Sequence, residues 1–195
     1  MTLTDELLQQ AESVDTHQAR LTNLPNESVL VPLYEGADFA DAFAIVLPKE
    51  ATHDIAALAH AVLGQPALWA RALLRMRDIA VAGFGVKTTT HIRDEVRSSS
   101  KGHISFFRIL QRSERELILG EDDKHLDFRA SLLLRAANNG QDRELVVTTV
   151  VMCHNRFGRV YIALIAPFHR LIARSNLRRA ARGWPRCPNA SACCL

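Results

Sequence analysis

The chain has 195 residues, 48% of them apolar, and a formal net charge of +3. That length suits one domain, and that apolar share supplies a core, which excludes wholesale disorder. Eight arginines and no acidic residue stand from Arg156 onward. The positive charge therefore belongs to the end of the chain, where a basic helix could touch anionic lipid or nucleic acid, the plainer reading being the solvated face of a buried helix.

No apolar run reaches the roughly 18–20 residues that cross a bilayer. The longest candidate, Val160 to Ala173, is interrupted by Pro167, His169 and Arg170. The opening MTLTDELLQQAESVD has acids where a signal peptide is basic, so a cytoplasmic protein without a membrane span is expected. Cys153 falls in a predicted strand, while Cys187, Cys193 and Cys194 crowd the last nine residues. No Cys-x-x-Cys pair and no tail His accompany them, so neither a metal nor another cofactor is expected.

Residues 1–13 read as a short helix or loose arm, 14–183 as one domain, and 184–195 as a disordered Cys-containing tail. Leu21 to Glu35 carries two prolines and reads as irregular. Ala37 to Leu47 is a predicted strand ended by Pro48. A helix follows, with Thr52 as its cap and Ile55, Leu58, Ala59 and Val62 on one face. Pro66 opens a second helix, 67–81, and the polar stretch 87–102 reads as a loop.

Four strands are predicted next. His103–Gln111 is the first, and Arg115–Leu119 the second, ending at the turn Gly120-Glu121-Asp122-Asp123. In His125–Arg135, Leu126, Phe128, Ala130, Leu132 and Leu134 alternate with polar residues. Asn138-Asn139-Gly140 supplies a hairpin turn, and Glu144–His154 is apolar or Thr on both faces, hence central. The last element, 157–182, is a long helix whose stripe Tyr161, Leu164, Ile165, Phe168, Leu171, Ile172 and Leu177 is expected to face the sheet, with a kink at Pro167. The fold class is α+β: a curved antiparallel sheet wrapped on a long C-terminal helix, with two shorter helices after the first strand.

Four segments, ADFADAF at 37–43, GEDDKHLDFR at 120–129, TTVVMCHNRFGRVY at 148–161 and APFHRLI at 166–172, resemble the bacterial family called domain of unknown function 2867. The order of elements is similar to the helix-grip fold of the Bet v 1-like, or START-like (SRPBCC), superfamily. The resemblance implies a sheet gripping the last helix, often around a cavity, and no established activity. Some relatives carry the domain behind a dinucleotide-binding reductase domain; no Gly-x-Gly-x-x-Gly follows a strand here.

Chemistry is sought in two groups. His125, with Asp123 or Asp127 to orient it, has the make-up of a general base. The plainer reading is a solvated turn with an Asp–Arg pair involving Arg129. His154, Asn155 and His169 are the second group, and helix capping by His154 or Asn155 explains part of it without function. Thr148, Thr149, Tyr161, Trp69 and Arg108 are polar groups that could orient a ligand in an apolar pocket. The expected lining is Trp69, Phe106, Phe128, Leu132, Val150, Tyr161, Leu164 and Phe168. The Arg-rich helix end, Arg174, Arg178, Arg179 and Arg182, lacks the interleaved aromatics of a nucleic-acid binder.

Three functions are open on this reading. The first is binding of a small apolar or amphipathic molecule between sheet and last helix. The second is a cyclase- or dehydratase-like enzyme using His125 or His154. The third is a non-catalytic partner domain of a reductase. Oligomeric state is open, a homodimer among the options.

Overall fold

The computed structural model describes residues 18–64, 102–104 and 107–186. The elements are β1 (Arg20–Thr22), α1 (Val31–Tyr34), β2 (Phe39–Leu47), α2 (Ile55–Leu63), β3 (His103–Ile104), β4 (Phe107–Arg112), β5 (Glu116–Asp122), β6 (Leu126–Ala137), β7 (Asp142–Cys153) and α3 (Arg156–Ala180). The seven strands form one antiparallel sheet in the order β1-β2-β7-β6-β5-β4-β3. This is the helix-grip arrangement.

β6 and β7 pair from Leu126–Cys153 to Ala137–Asp142. The chain reverses between them through Asn138 (φ 49°) and Gly140 (φ 88°), the residue types that tolerate left-handed backbone. β2 then lies on the other edge of β7, joining distant parts of the chain. That leaves β7 central, and Glu144 to Val151 is buried without interruption, as a strand covered on both faces requires.

The side chains of Phe43, Ile45, Leu117, Leu119, Leu132, Leu145 and Val147 face one side of the sheet and make the main core with α2 and the end of α3 through Leu177 and Ala180. The other face carries Ala42, Ala44, Leu133 and Val146 and, beside them, Ile118 and Val150 under Leu30, Leu33 and Tyr34. So the stretch from Leu21 to Glu35, expected to be irregular, contains most of an edge strand, β1, and a one-turn helix that covers part of the outer face. A three-residue strand is too short to show alternation, and its pairing with β2 is what makes it a strand.

Other expectations change in detail. His103–Gln111 is two strands, because Ile104 pairs with Phe107 and the chain doubles back where no Gly, Pro or Asn marks a turn. β5 continues through Gly120 and Glu121, where a turn was expected. A Cβ on Gly120 would lie 2.6 Å from the Phe128 carbonyl oxygen, so the glycine serves close strand approach. The cap of α2 is Asp54, whose carboxylate accepts from Ala56 N at 2.9 Å, while the hydroxyl of Thr52, two residues back, accepts from Asp54 N.

α3 runs unbroken through Pro167. The carbonyl deprived of its donor belongs to Ala163, and both residues are on the exposed side, where water can replace the lost bond. The expected inward stripe is corrected. Leu164 (67% exposed), Phe168 (45%) and Leu171 (57%) point outward with Val160. The inward face is Gly158, Ile162, Ile165, His169, Ala173, Asn176, Leu177 and Ala180, all buried or half-buried. Beyond α3, Trp184 is buried and Arg186 bridges Ala51. The arm 1–13, the helix 67–81, most of the loop 87–102 and the tail from 187 lie outside the described residues.

Candidate functional site

The four segments that carry the family resemblance come together at one end of the sheet. They are the start of β2, the end of β5 with the start of β6, the end of β7, and α3. Across the inner face, register aligns Phe39, Val151 and Phe128 in one row and Asp41, Thr149 and Ala130 in the next. Phe107 stands 5.6 Å from the Phe128 ring. The second row has small or polar residues between apolar rows.

Asp41 lies on this inner face and is 6% exposed. Its Oδ2 accepts from Arg170 Nε at 3.4 Å. Its Oδ1 is 3.4 Å from His169 Nε2, yet neither atom makes a hydrogen bond. The His169 ring meets Phe39 edge-on at 5.7 Å, and the Arg170 guanidinium sits 5.6 Å from the same ring. Arg174 lies over Phe43 at 5.4 Å. These cation–π contacts fix the helix on β2.

Asp38 clamps the same end. It accepts from Cys153 N at 2.6 Å and from Arg159 Nε at 2.9 Å. The Cys153 backbone N–H is the main reason that its carboxyl stays below the usual range, with Arg159 adding to it against a desolvation cost. Burial, then the Asp38 charge, pushes the Cys153 thiol up, so this is no activated nucleophile.

His125 and His154 do not join this group. His154 Nε2 pairs with Asp127 Oδ2 at 3.1 Å on the outer face, and the hydrogen bond to Asp127 raises its pKa above the ordinary histidine value. His125 packs on Phe157 at 4.8 Å, with Nδ1 3.0 Å from Asn155 Nδ2. Asn155 Oδ1 accepts from Gly158 N at 3.0 Å, so Asn155 is the helix cap. Gly158 is needed there, since a Cβ would fall 2.4 Å from the His125 carbonyl oxygen. Arg129 pairs with Asp122 at 2.5 Å, its side chain 19% exposed against 68% for the aspartate.

Of the expected lining, Phe128 and Leu132 are on the inner face, and Tyr161 is half-buried. Val150 is fully buried on the outer face with Leu30 and Ile118. Leu164 and Phe168 are exposed. Trp69 and Phe106 lie outside the described residues. Thr149 shares the inner face with Asp41, Thr148 faces the other way, and Arg108 is exposed. Sequence reasoning missed Asp41. Its signal was present: a carboxylate in a strand, on the same parity as Phe39, Phe43 and Ile45.

An open cleft of about 740 Å³ lies at the far end, beside His53, Asp54, Arg112, Arg115 and Arg143. Its charges are largely used within the fold: Arg112 pairs with Asp54, and Arg143 donates to the carbonyls of Lys49 and Ala51. Among the described residues no three His, Cys, Asp or Glu side chains gather as metal ligands, and no helix is long and apolar enough to cross a membrane.

A family model described as a protein of unknown function, DUF2867, matches residues 33–176. The chain belongs to the DUF2867 family. The DUF2867 span contains Asp38, Asp41, His125, Asp127, His154 and His169, and the far cleft's wall from His53 to Arg143 lies within it as well. No curated protein and no solved structure matches the chain.

Proposed function

We propose that this protein binds a small amphipathic molecule between the inner face of the sheet and the N-terminal half of α3. The carrying observation is the unequal packing along α3. Its C-terminal end is core, with Asn176, Leu177 and Ala180 buried. Along the first 20 residues only Gly158 is buried, although Ile162, Ile165, Ile172 and His169 face inward. Opposite them stand the half-buried Phe39, Phe107 and Phe128 around Asp41 and Thr149. Apolar walls with a few convergent polar groups are what a small-molecule site offers. The reading extends to a START-like protein working in the cytoplasm.

A second reading, a partner domain, draws on the exposed row Val160, Leu164, Phe168 and Leu171. Native mass spectrometry of protein purified from its own host separates the two. A retained small molecule that is lost on denaturation is the expected result. A bare mass, together with no uptake of the neutral dye Nile red, overturns the binding reading.

A further inference from the structure

Asp41 Oδ1 and His169 Nε2 face each other at 3.4 Å, both sealed from solvent and both without a hydrogen bond. Leaving such atoms unpaired in a buried site is costly, so a group that satisfies both is strongly favoured there. The surroundings decide which group fits. An ammonium would meet the Arg170 guanidinium, which already holds the other Asp41 oxygen. A carboxylate or phosphate would meet the Asp41 charge in a site of low dielectric. An apolar group, or an ether, would leave Asp41 Oδ1 without a donor. A hydroxyl donates its proton to Asp41 Oδ1 and accepts from His169 Nε2–H. An oxygen at about 2.7–3.0 Å from each closes a triangle on a 3.4 Å base, and because both atoms are covered it enters as the α3 side chains over Asp41 shift.

Resting on the binding reading above, we infer that the ligand is an uncharged, hydroxyl-bearing and otherwise apolar molecule, whose hydroxyl bridges Asp41 and His169. Phe39, edge-on to His169, and Ala130 and Thr149, in register beside Asp41, provide the surface next to that hydroxyl.

The test is displacement of Nile red from the full chain at neutral pH by decanol, its methyl ether, decylamine and decanoate. Decanol is expected to displace the dye at a concentration roughly tenfold or more below the other three, the discrimination that a site built to hydrogen-bond a hydroxyl imposes. In His169→Phe, which loses no existing hydrogen bond, the preference for decanol over its ether should fall towards unity. Asp41→Asn is the second variant and should weaken the same ratio. The ratio, unlike absolute affinity, is insensitive to a general loss of stability. Equal displacement by alcohol and ether, a preference for either ion, or a preference that survives in His169→Phe overturns the inference while leaving the binding reading intact. Failure of the wild-type protein to take up Nile red overturns the binding reading itself.

Discussion

Glu116 shows what a satisfied buried carboxylate looks like in this fold. It accepts from Ser28 Oγ at 2.6 Å, Ser131 Oγ at 2.5 Å and Val29 N at 3.0 Å, and so pins the 25–37 stretch to the outer face. Glu144, also buried, is held by Arg20 and Arg135. Asp41 has no such set, which is why it reads as a binding group and Glu116 as a structural one. Glu116→Ala strands three donors and should cost about 2–4 kcal/mol in urea unfolding. A loss of a few tenths would show that the outer segment does not depend on it. His154 gives a pH prediction. Its folded pKa is raised above the ordinary value near 6.5, chiefly by the Asp127 hydrogen bond. The pair therefore stabilises the fold fully below about pH 6.5, and that contribution fades as pH rises through the folded pKa. NMR titration of the His154 ring should give a midpoint above the ordinary value, moving down in Asp127→Asn. An unshifted wild-type midpoint would contradict the pairing.

At the scale of the element, α3 decides most of the argument. Its sequence carries two apolar rows about half a turn apart, one through Ile162, Ile165, Ala173 and Leu177 and one through Val160, Leu164, Phe168 and Leu171. Periodicity finds such a helix, but it does not choose between two such rows. The choice is made by β2, where Asp41, Phe39 and Phe43 engage His169, Arg170 and Arg174. Leu177→Ala, at the packed end, should cost about 2–5 kcal/mol. Phe168→Ala, at an exposed position, should cost less than about 1 kcal/mol. Chemical denaturation of both variants checks the orientation. Equal, large losses would mean that Phe168 is covered.

For the whole molecule, closure comes from contacts far apart in sequence. β2 pairs with β7 across about a hundred residues, and the chain after α3 returns to the entry of α2, where Thr52 N donates to Pro185 O at 2.8 Å. Trp184 is buried at this junction and joins the main core. Trp184→Ala should therefore destabilise by about 3–5 kcal/mol, read from thermal or urea unfolding. A change within error would mean that residues 181–186 behave as a loose tail.

Local chemistry alone determined the antiparallel β6–β7 hairpin, the centrality of β7, the helix after it, and the apolar side of β6. Alternation, the Asn-Asn-Gly turn and helical spacing are properties of neighbours in sequence, and they survive without tertiary context. The strand at 20–22, the doubling back at 104–107 and the facing of α3 depended on which partner each segment met. So did the site. Asp41 is an ordinary acidic residue in ADFADAF until the β2–β7 register sets it beside Thr149 and α3 brings His169 and Arg170 over it. His125 and Asp127, two residues apart, separate onto a contact with the helix cap Asn155 and an outer-face pair with His154. Proximity in sequence did not assemble the site, because His125 stands before β6 and its ring turns to Asn155 and Phe157. Proximity through the sheet, fixed by non-local pairing, assembled Asp41 with His169.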